Sequence, residues 1–177
     1  MDIQKVFIVG SGLMGSGIAQ VCAQRGLEVV LYDIDGEALK RALESIEWSV
    51  GKFVEKGELK EEKGAVMGRI KTASDFSEAA NSDLIIEAVF ENRDIKADVT
   101  RKAEAVIPKN AVFASNTSTL PITGLAQASK RPAQFIGIHF FSPVDRMMLV
   151  EIILGKNTGD RALAVALDYV RAIRKTP

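Results

Sequence analysis

One stretch near the N-terminus, Val6-Phe7-Ile8-Val9-Gly10-Ser11-Gly12-Leu13-Met14-Gly15, constrains the fold more than any other. Four consecutive apolar residues with β-branched members read as a buried strand. The glycines that follow have the spacing G-x-G-x-x-G, and a helical pattern runs on from Leu13 to Arg25. Each glycine has a physical task. Gly10 permits the tight turn out of the strand, Gly12 keeps the backbone open to a pyrophosphate, and Gly15 lets the helix pack on the sheet. The free N–H groups at the helix start favour an anion. Ser11, Leu13 and Met14 complete the loop and are taken with the glycines as dinucleotide contacts.

The next strand, Glu28 to Asp33, ends in an acid placed 23 residues after Gly10. That offset is close to the ~20 residues expected for a carboxylate that binds the adenosine ribose hydroxyls. No basic residue follows until Lys40, so nothing nearby in sequence would welcome a 2′-phosphate. The pattern points to NAD rather than NADP.

Further along, apolar residues from Leu39 to Val54 recur at helical spacing over Gly36 to Lys56, and Trp48 among them reads as a packing residue. A charged helix–turn–helix follows, with Gly57 ending its first helix and Lys52 or Lys56 available to a phosphate. Short strands are predicted at 69–72, 83–89, 111–115, 134–139 and 149–154, with helices at 92–107 and 161–174. Alternating strands and helices predict an α/β, Rossmann-type, doubly wound and mostly parallel sheet with helices on both faces.

Composition removes several functional classes. Lys and Arg number 23 and Asp and Glu 23, so no bulk field favours nucleic acid or a membrane surface. No apolar run reaches the ~20 residues of a membrane helix. Cys22 is the only cysteine and His139 the only histidine, which excludes a disulfide framework and a multi-histidine metal centre; no metal is expected. A lone thiol read as a small core residue fits a cytoplasmic location.

Ligands of open α/β sheets sit at the carboxyl ends of the strands. By the pattern, Glu91, the run Ser115-Asn116-Thr117-Ser118 and His139 all lie there. Glu151 interrupts the apolar run Met147 to Leu154 twelve residues after His139. A carboxylate among aliphatics is costly unless it is paired or faces solvent. Pairing with His139 would fix the imidazole tautomer and leave the other ring nitrogen as a base.

Three segments carry a resemblance: Gly10-Ser11-Gly12-Leu13-Met14-Gly15-Ser16-Gly17-Ile18-Ala19-Gln20, Ala114-Ser115-Asn116-Thr117-Ser118-Thr119-Leu120, and His139-Phe140-Phe141-Ser142-Pro143 leading to Leu149-Val150-Glu151-Ile152-Ile153. Over nearly its whole length the sequence resembles the NAD-binding domain of the 3-hydroxyacyl-CoA dehydrogenases. The resemblance implies NAD as cofactor and reversible oxidation of a (3S)-3-hydroxyacyl-CoA to the 3-oxoacyl-CoA in fatty-acid metabolism. It assigns His139 as base, Glu151 as its carboxylate partner, and Ser118 as a contact to substrate oxygen and nicotinamide. Asp33, Glu91 and Lys96 fall at cofactor positions, Ser49 and Lys56 at coenzyme A positions, and Asn116 beside the substrate. Ser142 stands where the family usually has asparagine. The resemblance also implies a helical C-terminal substrate and dimerisation domain outside residues 1–177, and a homodimer for the full-length protein. Two rivals are another Rossmann 3-hydroxy-acid dehydrogenase with a lysine acid or base, and a non-catalytic NAD-binding module.

Overall fold

In the computed structural model, which describes residues 3–177, the glycine stretch joins strand β1 (Lys5–Val9) to helix α1 (Leu13–Gln24). Gly10 turns with φ +103°, and a Cβ there would lie 2.6 Å from the Ala88 carbonyl oxygen. Gly15 is tighter still: its Cβ would fall 1.8 Å from the Gly10 carbonyl oxygen, so only hydrogen fits between α1 and the loop.

The chain continues through β2 (Glu28–Tyr32), α2 (Gly36–Glu55), α3 (Lys63–Met67), β3 (Ile70–Ala73), β4 (Leu84–Glu87), α4 (Arg93–Glu104) and β5 (Val112–Ser115). It then forms the single turn α5 (Ile122–Leu125), β6 (Phe135–Phe140), β7 (Val150–Ile153) and α6 (Asp160–Ala172). The sheet order is β3-β2-β1-β4-β5-β6-β7. All pairings are parallel except β6 with β7. The order reverses between β1 and β4, which opens a crevice at their carboxyl ends.

Both faces are covered, which is why the inner strands read as unbroken apolar runs. Val6, Ile8, Leu31, Ile86, Ala114 and Ile138 bury one face with residues of α1, α2 and α6. Phe7, Val9, Val30, Ile85 and Phe113 bury the other with Val99 and Ala103 of α4 and Ile122 of α5. Cys22 packs in the first layer, where burial pushes its thiol up to about 12 despite a 3.1 Å contact with the Tyr169 hydroxyl.

Side-chain caps set two helix starts: Asp35 accepts from the Glu37 N–H at 2.9 Å, and Asn92 accepts from the N–H groups of Asp94 and Ile95. Helix α6 ends in a Schellman turn. The Arg174 N–H bonds to the Arg171 carbonyl, the Lys175 N–H to the Val170 carbonyl, and Arg174 takes the left-handed φ of 58° usually given to glycine. The Ser142–Pro143 peptide bond is cis.

One expectation is corrected. Trp48 is 69% exposed, not packed. The buried stripe of α2 is Leu39, Ala42, Ile46 and Val50. Two residues past Ile46 is roughly 200° around the helix, so the indole lies on the opposite face. The turn α5 and the short 3₁₀ turns at Phe76–Ala79, Ala126–Ala128 and Pro132–Gln134 escape the periodicity argument because each is too short to show a period.

Candidate active site

The crevice at the sheet's carboxyl edge is a cleft of about 320 Å³. Met14 of the glycine loop, Glu91, Asn116, Ser118, His139 and Ser142 line it together. These residues come from the ends of α1, β4, β5 and β6, so the doubly wound sheet alone gathers them.

On the cofactor side, Gly12 precedes α1 with no side-chain cap, and no acidic residue stands in the first turn. A Cβ at Gly12 would meet nothing within 4 Å. The uncapped N–H groups and the open space above Gly12 fit a bound pyrophosphate. Asp33 follows β2 and is braced from the loop: its Oδ2 accepts from the Ser11 N–H at 2.8 Å and from the Ser11 hydroxyl at 2.7 Å, while Oδ1 accepts from the Asp35 N–H at 3.0 Å. Burial pushes this carboxyl up, but the bonds from Asp35 and Ser11 outweigh it and hold it below its ordinary range. The loop glycines, Ser11 and Asp33 therefore have the chemistry and the arrangement that a dinucleotide needs.

Glu91 and Lys96 behave differently from one another. Glu91 is exposed at the cleft, whereas Lys96 is buried behind it. The Lys96 ammonium donates to both oxygens of Glu87 at 2.9 Å and lies 3.0 Å from Glu91 Oε1. Glu91 Oε2 also accepts from the hydroxyls of Thr117 at 2.7 Å and Thr119 at 2.9 Å. Burial raises the Glu91 carboxyl, and these hydroxyls with Lys96 overcome that and bring it down to about 2. Glu87 is 1% exposed and also takes a hydrogen bond from the Ser115 hydroxyl. Sequence reasoning passed over Glu87 as part of an apolar strand. The argument that singled out Glu151, a carboxylate among aliphatics, applies to it equally.

At the edge of the sheet, β6 and β7 pair antiparallel with His139 opposite Glu151. His139 Nδ1 donates to Glu151 Oε2 at 2.8 Å, because a carboxylate can only accept. The imidazole is half-buried, packs edge-on against Phe141 with centroids 4.7 Å apart, and keeps Nε2 as its second site. Asn116 Oδ1 accepts from the Phe140 N–H at 2.9 Å, which leaves the amide NH₂ of Asn116 as a donor. Ser118 is exposed in the same cleft.

Ser49 and Lys56 lie elsewhere, on α2 and just past its end. Ser49 accepts from the Gln20 amide at 2.9 Å, and Lys56 is exposed. Neither lines the cleft. Among the described residues there is no cluster of His, Cys, Asp and Glu able to hold a metal, and no helix long and apolar enough to cross a membrane.

Residues 5–177 match the family described as 3-hydroxyacyl-CoA dehydrogenase, NAD binding domain. The chain is 44% identical over 173 residues to a probable 3-hydroxybutyryl-CoA dehydrogenase of Deinococcus radiodurans, covering 98% of this chain and 62% of that protein. It is 39% identical to the fatty acid oxidation complex subunit alpha of Pseudomonas aeruginosa, covering 99% of this chain and 25% of that one. The crystal structure of (S)-3-hydroxybutyryl-CoA dehydrogenase from Ralstonia eutropha superposes with a TM-score of 0.96 at 38% identity, covering 99% of this chain and 62% of that one. The chain thus spans about three fifths of the length of the Deinococcus and Ralstonia proteins and a quarter of the Pseudomonas subunit. With its glycine loop, its sheet order and its matched residues 5–177, the chain belongs to the 3-hydroxyacyl-CoA dehydrogenase family, as its NAD-binding domain.

Proposed function

We propose that this chain is the cofactor-binding and proton-handling part of an enzyme that reversibly oxidises (3S)-3-hydroxyacyl-CoA to 3-oxoacyl-CoA. The observation that carries the reading is the 2.8 Å His139–Glu151 pair in the same cleft as the glycine loop. When bound, NAD supplies the hydride acceptor. Gly10, Ser11, Gly12, Leu13, Met14 and Gly15 would hold its pyrophosphate, Asp33 its adenosine ribose, and Glu91, backed by Lys96, its nicotinamide half. His139 Nε2 removes the hydroxyl proton, and Glu151 balances the imidazolium that results. Ser118 and the Asn116 NH₂ orient the oxygen being converted from alcohol to carbonyl. Ser49 and Lys56 are assigned to coenzyme A, outside the cleft and along α2.

The wider proposals follow the relatives that this chain only partly spans. A helical C-terminal domain would cover the cleft, exclude water from His139 and form a homodimer. The parent protein would work in the cytoplasm, in fatty-acid metabolism. The test is Glu151→Gln in a version carrying that domain. The amide can still accept the Nδ1–H but cannot balance a cation, so turnover should fall by roughly 10²–10⁴-fold. NADH affinity should hold. An unchanged turnover would reduce Glu151 to an ordinary edge-strand residue and remove the proposed mechanism.

A further inference from the structure

The nine-residue loop from Phe141 to Leu149 joins His139 to Glu151, and little apolar burial holds it. Val144 is its one buried residue, seated over Gly17 so closely that a Cβ there would lie 2.8 Å from the Val144 Cβ. Arg146 lies over the Phe53 ring at 5.4 Å, while Met147, Met148 and Leu149 are exposed. The loop is instead tied from the C-terminal tail. Lys175 is 8% exposed, and its ammonium donates to the Val144 carbonyl at 2.6 Å and the Met147 carbonyl at 2.5 Å. Next to it the Thr176 N–H bonds to the Met148 carbonyl, and the Val150 N–H bonds to the Thr176 carbonyl, both at 2.9 Å. The tail thereby adds a bridge to the outer side of β7, whose inner side pairs with β6. The left-handed turn at Arg174 brings the chain back to this position.

We infer that Lys175 is a positioning residue for the His139–Glu151 pair, clamping the loop between them and fixing β7 in its register. The reason is geometric. β7 is an edge strand in which only Val150 is fully buried, and a slip of one residue would carry Glu151 to the other face of the sheet. Two carbonyls gripped by one ammonium fix the loop's length between the strands, and Thr176 fixes the residue before Glu151. Lys175 touches no reacting atom; it acts through the loop. The inference rests on the reading of His139 and Glu151 as the proton-handling pair.

Lys175→Met keeps the aliphatic stem and removes the donors, and Lys175→Arg restores donors. Because His139 is the only histidine of this chain, its imidazole nitrogen-15 signals report the Glu151 bond without ambiguity. In Lys175→Met those signals should lose the signature of a bonded Nδ1–H, and amide exchange from Met147 to Glu151 should speed up. In a longer version carrying the C-terminal domain, kcat should drop ~10- to 100-fold, the range that misplacement costs. The NADH dissociation constant should stay unchanged, and Lys175→Arg should recover most of the loss. If Lys175→Met does not fold, Lys175→Gln, a shorter and uncharged donor, is the variant read and should move the same signals less far. Native imidazole signals and native kcat in Lys175→Met, or in Lys175→Gln where that is the variant read, would overturn the inference. If the spectra change while the native protein does not oxidise 3-hydroxyacyl-CoA, the clamp stands and the proposed reaction falls.

Discussion

Replacing Lys96 by methionine removes the one full positive charge within reach of two carboxylates. Its ammonium sits 2.9 Å from both Glu87 oxygens and 3.0 Å from Glu91, with Lys96 2% and Glu87 1% exposed. At an effective dielectric of about 20, unit charges at that separation attract by about 6 kcal/mol, most of it spent against desolvation. Removing one partner leaves the other buried and uncompensated, which costs about 3–5 kcal/mol. Glu87 would keep the hydrogen bonds donated by the Ser115 hydroxyl and the Val89 N–H, which carry no positive charge to balance it. For a chain of this size the loss corresponds to a melting-temperature drop of ~6–20 °C. Urea unfolding followed by circular dichroism gives the free energy, and calorimetry the temperature. Lys96→Met/Glu87→Met should regain most of it, since an apolar pair carries no stranded charge. NADH binding should weaken in the single variant, because Glu91 loses its anchor. A cost below about 1 kcal/mol for Lys96→Met, or a double variant as weak as the summed singles, would refute the claim that the charges compensate one another.

The remaining predictions concern charge and backbone. NADH should bind more tightly than NADPH by about 1–3 kcal/mol, roughly 5–150-fold, because a 2′-phosphate would face the Asp33 carboxylate. Fluorescence titration of both cofactors reads this, and equal affinities would sink the ribose assignment. Glu91 is lowered from its ordinary value of 4.5 to about 2, so its contribution is present above 4.5 and is lost as pH falls toward 2. Glu91→Gln should flatten the acid limb of stability in that window, to an extent reduced by solvent because the side chain is 39% exposed. Arg174→Gly should stabilise the chain by about 0.5–1 kcal/mol, the left-handed penalty less the entropy of an added glycine. A lower urea midpoint would show that the Arg174 side chain matters more than its backbone strain.

Most of the frame was legible before the structure, for reasons that can be named. Strands buried on both faces announce themselves as apolar runs, and a glycine loop between a strand and a helix admits few folds. The ends of those strands then place Glu91, Asn116, Ser118 and His139 in one cleft, as the structure does. Trp48 sits among apolar residues in sequence, but its angle from Ile46 turns the indole outward. Lys96 matches a cofactor position in sequence, yet its burial behind Glu91 depends on Glu87, the last residue of β4, in a run that reads as nearly all apolar.

What sequence spacing could not supply is the fixing of one strand against another. His139 and Glu151 are twelve residues apart, and nothing in that interval states that they face each other. The parallel strands of the interior are held in register by helices packed on both faces, so their ends are fixed by the same burial that makes them legible. β7 has a neighbouring strand on one side only, and its residues Glu151, Ile152 and Ile153 are partly or fully exposed. Burial of Val150 anchors one end of it, and polar contacts of long sequence separation add to that anchor: the Lys175 ammonium on two loop carbonyls and the Thr176 backbone on Met148 and Val150. Such contacts leave no periodic trace. The proposed cofactor half of the site thus depends on burial, which the pattern of residues displays. The proposed proton-handling half depends also on an edge strand to which Lys175 and Thr176 add long-range polar contacts.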